Sequence, residues 1–74
     1  MRDEDDWTNS VKLLLRTEMI RHGMTYGKLA SRLSEMGVKE TPVNLRNKVA
    51  RGGFSATFFL RCLKAMGVKE LRLD

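Results

Sequence analysis

The stretch Thr25-Tyr26-Gly27-Lys28-Leu29-Ala30-Ser31-Arg32-Leu33-Ser34-Glu35-Met36-Gly37-Val38 is punctuated at both ends like one short helix. Thr25 is an N-cap candidate. Tyr26, Leu29, Ala30, Leu33 and Met36 recur at helical steps and gather on one side, leaving Lys28, Ser31, Arg32 and Glu35 toward water. Gly37 followed by the apolar Val38 is the pattern of a helix stopped by a left-handed residue, with the next side chain folded back onto the last turn. The same stop recurs at Gly23-Met24 and Gly67-Val68. Further starts are marked by Thr41 before Pro42 and by Ser55 before Ala56. Working outward, the punctuation predicts four helices at about 8–22, 26–36, 42–51 and 56–66, the first beginning within Trp7-Thr8-Asn9-Ser10. The expected fold is all-α, a compact bundle of four to five helices. An acidic, mobile N-terminal tail is expected over 1–7, a helical domain over 8–68 and a short tail over 69–74. That last tail reads as one irregular turn or a short edge-like segment.

Seventy-four residues leave room for a single domain. A chain of this size buries only about 60% of the surface its unfolded form exposes, so one core must supply the stability. Most enzymes need more scaffold, and an enzyme is not expected. The single Cys excludes an internal disulfide framework and a Cys-rich zinc site, and makes a reducing, cytoplasmic setting the default. No apolar run approaches a membrane span, and the acidic first ten residues are unlike a secretory signal. The net charge of +5 is uneven. Residues 1–10 hold one base and four acids, a net −3, so residues 11–74 hold thirteen bases and five acids, a net +8. An excess of that size draws a domain toward polyanions, although it also serves plain solubility.

One five-residue repeat, Met36-Gly37-Val38-Lys39-Glu40 and Met66-Gly67-Val68-Lys69-Glu70, is preceded by Leu33 and Leu63 at the same offset. It reads as two helices sharing one stop rather than as a duplicated module, since nothing else in the two halves matches. Helical angles place Trp7, Val11, Leu14, Leu15 and Met19 on the buried side of the first helix, with Leu13 and Ile20 projecting from the other side. The fourth helix is apolar over most of its circumference, through Phe58, Phe59, Leu60, Cys62, Leu63, Ala65 and Met66, and is expected to be central. The third has a thin seam of Pro42, Leu45 and Val49. Opposite that seam lie Val43, Asn44, Asn47 and Arg51, flanked by Lys48 and Ala50. Amide and guanidinium side chains on an exposed helix can read base edges in a major groove, Asn on adenine and Arg or Lys on guanine.

The run from Thr25 to Leu33, ending in Leu-Ala-x-x-Leu, resembles helix 2 of phage-repressor-like (Cro-type) helix-turn-helix domains. Gly37-Val38 at the turn, a basic helix closing at Arg51-Gly52, and a last helix ending Leu63-Lys64-Ala65-Met66-Gly67-Val68 extend the likeness over roughly residues 11–68. The stretch from Asn44 to Lys48, with Arg51-Gly52-Gly53-Phe54-Ser55 and Phe58-Phe59-Leu60, also resembles a family of small bacterial proteins of unknown function built on that plan. The resemblance implies a lambda-repressor-like fold and a transcriptional regulator that binds double-stranded DNA as a homodimer. Lys39-Glu40-Thr41 makes the turn longer than usual in repressors, so the reading face is taken from helical angles rather than from the family register.

The candidate base-reading residues are therefore Asn44, Asn47, Lys48 and Arg51. Candidate phosphate contacts are Gly27, Lys28, Arg32, Thr41 and Arg46, the first two because backbone N–H groups at the start of helix 2 can hold an anion. Gly27 is equally readable as a tolerated small residue. Leu13 and Ile20 are candidate dimer contacts, or else scattered surface apolar residues. No cofactor, metal, membrane or small-molecule substrate is called for. His22 reads as a helix-end residue, Cys62 as buried and inert, and the acidic run lacks the alternation of a calcium loop. The alternative to DNA is a protein-interaction module of the same fold, using Leu13, Ile20 and the Val43 side of helix 3.

Overall fold

The computed structural model describes residues 4–73, which form four α-helices in the order α1 (Glu4–Arg21), α2 (Tyr26–Glu35), α3 (Pro42–Arg51) and α4 (Ala56–Met66). Each of the three later helices starts where a hydroxyl can cap it. Thr25, Thr41 and Ser55 sit in extended backbone and accept from the amides of Lys28, Asn44 and Phe58 at 3.1 Å. Capping of this kind satisfies N–H groups that have no partner within the helix. The stops are equally regular. Met24, Val38 and Val68 donate back to Met19, Leu33 and Leu63 at 2.8, 2.9 and 3.0 Å across left-handed Gly23, Gly37 and Gly67. All three apolar residues after the glycines pack against the core, which accounts for the repeated Met-Gly-Val segment as shared stop geometry.

α1 departs most from expectation. It begins at Glu4, not within 7–10, so Asp5 and Asp6 belong to its first turn rather than to a tail. Carboxylates favour the positive end of a helix, and the Ser10 hydroxyl folds back onto the Asp6 carbonyl at 3.0 Å instead of capping. Residues 1–3 of the expected tail, including Asp3 of the acidic run, and Asp74 of the C-terminal tail lie outside the described residues. Residues 69–73 follow α4 as irregular chain with Leu71 on the core.

α2 packs on α3 and α4, and α1 packs on the same two. The core is Leu15 and Met19 of α1, Leu29, Ala30 and Leu33 of α2, Leu45 and Val49 of α3, and Cys62, Leu63, Ala65 and Met66 of α4. α4 is therefore one of two shared helices, not a single central one. Leu60 is exposed because its helical angle puts it beside Thr57 and Lys64, opposite Cys62. Trp7 is also exposed, since Thr8, one residue on, is the side chain turned toward α3. Pro42 is exposed at the first turn of α3, leaving a seam of two residues. No helix among the described residues is long and apolar enough to cross a membrane.

α3 ends on Gly52, which is left-handed (φ 72°) and buried. A Cβ there would stand 2.7 Å from Thr8 Cγ2 and 3.0 Å from the Thr8 carbonyl oxygen, so the bare backbone lets α3 close on α1. Lys12 reinforces the junction by donating from Nζ to the Ala50 carbonyl oxygen at 3.2 Å, a cation on the negative end of α3. Gly23 is also left-handed but would meet nothing within 4 Å. Gly23→Ala should therefore cost only the backbone penalty, about 1 kcal/mol. Gly52→Ala adds overpacking and should cost roughly 2–4 kcal/mol. Urea unfolding of both variants checks this, and equal losses would refute the close approach.

Candidate nucleic-acid interface

With Leu45 and Val49 fully buried, the opposite side of α3 is set by rotation alone. Asn47 lies diametrically away from them, with Asn44, Arg51 and Val43 around it, all exposed. Arg46 is exposed on the flank. The sequence from 41 to 55 contains no acid, so the charges of this surface are all cationic, with Val43 as an exposed apolar neighbour.

Lys48 flanks this surface. The residue sits about 100° around α3 from Asn47, on the flank toward α4. Its Nζ is 2.8 Å from both Oε1 and Oε2 of Glu40 and 5.2 Å from the Phe58 ring centroid. The Glu40 side chain is only 8% exposed, while that of Lys48 is 47% exposed. The Lys48 ammonium is thus engaged by a nearly buried carboxylate and an aromatic face. The pairing also cancels the acid closest to α3. Sequence reasoning missed Glu40 because it stands before the N-cap Thr41, where no helical spacing links it to Lys48. The signal available was the Met-Gly-Val-Lys-Glu repeat, in which Glu40 and Glu70 look equivalent although only Glu70 is exposed.

Cys62 is fully buried in α4 within the field of this pair. Burial pushes its thiol up to about 11, with the Glu40 carboxylate adding to the rise and the Lys48 ammonium opposing it. The thiol is neutral at physiological pH and packs as a small apolar group. Phe54 contacts Phe58 and Phe59 with ring centroids 5.2 and 5.8 Å apart, and all three are half-buried against the core. Beside them an open hollow of about 350 Å³, lined by Lys48, Arg51, Gly53, Phe54, Ser55 and Phe58, separates the end of α3 from the start of α4.

The expected phosphate contacts lie on α2, at the α3 cap and on α3 itself. Lys28, Thr41 and Arg46 are exposed. The Thr41 hydroxyl is the cap of α3 and accepts the Asn44 amide. Arg32 spends Nη1 on the Ala65 carbonyl oxygen of α4 at 3.4 Å, so it braces two helices as well as lying at the surface. Gly27 is exposed, and a Cβ there would make only an ordinary 3.8 Å contact with Thr25 Oγ1, so packing does not demand glycine at that position.

Two outcomes follow from the Glu40 cluster. Lys48→Ala strands a nearly buried carboxylate and should cost roughly 2–3 kcal/mol, discounted from the usual loss because Lys48 itself is half-exposed. Glu40→Gln leaves an ammonium that can reach water and should cost about 1 kcal/mol. Thermal melts that reverse this order would refute the pairing. For Cys62 the folded thiol titrates above its ordinary value of 9.0, so its stabilising contribution is complete below pH 9 and is lost as pH rises toward 11. Urea midpoints between pH 8 and 11 should fall more steeply for the wild type than for Cys62→Ala.

No curated protein and no solved structure matches the chain at a significant level. A family model does, over residues 7–71, which takes in all but the first turn of α1 and everything through Leu71. The chain belongs to the family described as "Domain of unknown function (DUF6471)".

Proposed function

We propose that this protein binds double-stranded DNA through the outward side of α3, as a non-enzymatic transcriptional regulator of the repressor-like helix-turn-helix type. One observation carries the reading. α3 is tied to the body by only two buried side chains, and its exposed side offers Asn44, Asn47 and Arg51 with no acid among them. A solvated helix that served only solubility would normally mix both signs. Asn47 and Asn44 suit adenine, and Arg51 suits guanine. Lys28 and Arg46, with the first backbone N–H groups of α2, suit the flanking phosphates, while Thr41 and Arg32 hold the two helices that present them. Lys48 serves this surface indirectly, by neutralising Glu40 beside it.

Binding to random duplex DNA, followed by fluorescence anisotropy, should be detectable at micromolar protein in about 50 mM salt and should weaken steeply as salt rises. Arg51→Ala and Asn47→Ala should each lose about 1–3 kcal/mol of binding to a selected sequence without changing the melting temperature. Absence of any binding at low salt would overturn the DNA reading in favour of a protein partner. Unchanged affinity in both variants would overturn the assignment of the face.

A further inference from the structure

α1 packs on α3 and α4 with the side that carries Leu15, Glu18 and Met19. Diametrically opposite runs a stripe seven residues apart, Asp6, Leu13 and Ile20, in which Leu13 is 58% and Ile20 81% exposed. Two features of this stripe select its partner. The first is position: Leu13 stands at the middle of the eighteen-residue helix. The second is charge. Asp5 and Asp6 occupy the first turns, whereas the exposed charges beyond Leu13 are Arg16 and Arg21. Glu18, the acid in that half, is buried and paired with Arg21 at 3.7 Å.

An apolar centre flanked by opposite charges at its two ends is what a two-fold interface requires, because each end must complement the other end of an identical surface. We infer that this face of α1 docks on α1 of a second copy, antiparallel, with the two-fold axis at Leu13. Leu13 then meets Leu13, and the Asp5–Trp7 turn of each copy meets the Ile20–Arg21 turn of the other. Carboxylates face guanidinium groups across the interface. The antiparallel arrangement also sets the positive end of one helix beside the negative end of its mate. Along the same helix runs a groove of about 740 Å³, lined by Trp7, Leu14, Leu71 and Leu73 among others, which widens the apolar area. A foreign partner would have no reason to match a charge reversal centred on one leucine.

This association is independent of the DNA reading: it uses the side of α1 away from α3 and leaves Asn44, Asn47 and Arg51 uncovered. An interface built mainly on one helix is at the small end of specific contacts, so the dimer should be weak and dependent on protein concentration.

Sedimentation equilibrium without DNA tests it. The apparent mass should rise from 8.5 kDa toward twice that value as concentration is raised. Leu13→Glu should hold the mass at the monomer value with an unchanged thermal melt. Two charge-reversed chains test the register. Asp5→Lys with Asp6→Lys makes the stripe basic throughout, and Arg16→Glu with Arg21→Glu makes it acidic. Each should remain monomeric alone, with folding checked by circular dichroism, and the equimolar mixture should regain the dimer mass. A wild-type mass fixed at 8.5 kDa overturns the inference, as does association that survives Leu13→Glu or a charge-reversed pair that fails to recombine. Loss of DNA binding by Arg51→Ala would leave all of these masses unaltered, so the two readings fail separately.

Discussion

The approach of Gly52 to Thr8 sets the geometry on which the candidate surface depends. α1 packs on α3 and α4. At the α3 junction the bare glycine backbone lies against α1, and the Lys12 ammonium donates to the Ala50 carbonyl oxygen. A side chain at that point would push the helices apart, and the two buried residues of α3 could not resist the displacement. Leu45 and Val49 anchor α3 in the core and the Gly52–Thr8 approach fixes its end against α1, so both set the orientation of Asn44, Asn47 and Arg51.

A second constraint works through charge. α3 presents a cationic, amide-rich surface, yet an acid immediately precedes its cap. An exposed carboxylate there would repel a polyanion and offset part of the benefit of the surrounding bases. Folding removes it: Glu40 turns inward to Lys48, and Phe58 covers the ammonium. One cation is spent on this internal pairing, and the neighbouring Cys62 thiol is kept neutral by burial and by the same carboxylate. The surface that remains is smaller than its composition suggests but uniform in sign.

Much of the fold is legible along the chain because caps and stops are local. Thr41-Pro42, Ser55-Ala56 and the glycine-apolar pairs act within one turn, and they place α3 and α4 at the residues where they occur. α1 was less legible. Thr8, Asn9 and Ser10 have the composition of a cap, but with carboxylates ahead of them they continue a helix already begun, and Ser10 bonds backward. Of the candidate reading face, Asn44, Asn47 and Arg51 follow from rotation about α3. Lys48 flanks them by rotation, and its pairing with Glu40 is invisible to helical angles because Glu40 lies outside the helix.

Local hydrogen bonding and helical periodicity thus determined from the sequence alone that the chain would form four helices, where three of them would stop at glycine, and which sides would be apolar. The tertiary structure decided what no periodicity encodes: that α1 and α2 share α3 and α4 as their common support, that Gly52 rather than another glycine is pressed against a neighbour, and that Glu40 reaches Lys48. These depend on distances between residues far apart in the chain, and such distances exist only after the helices have packed.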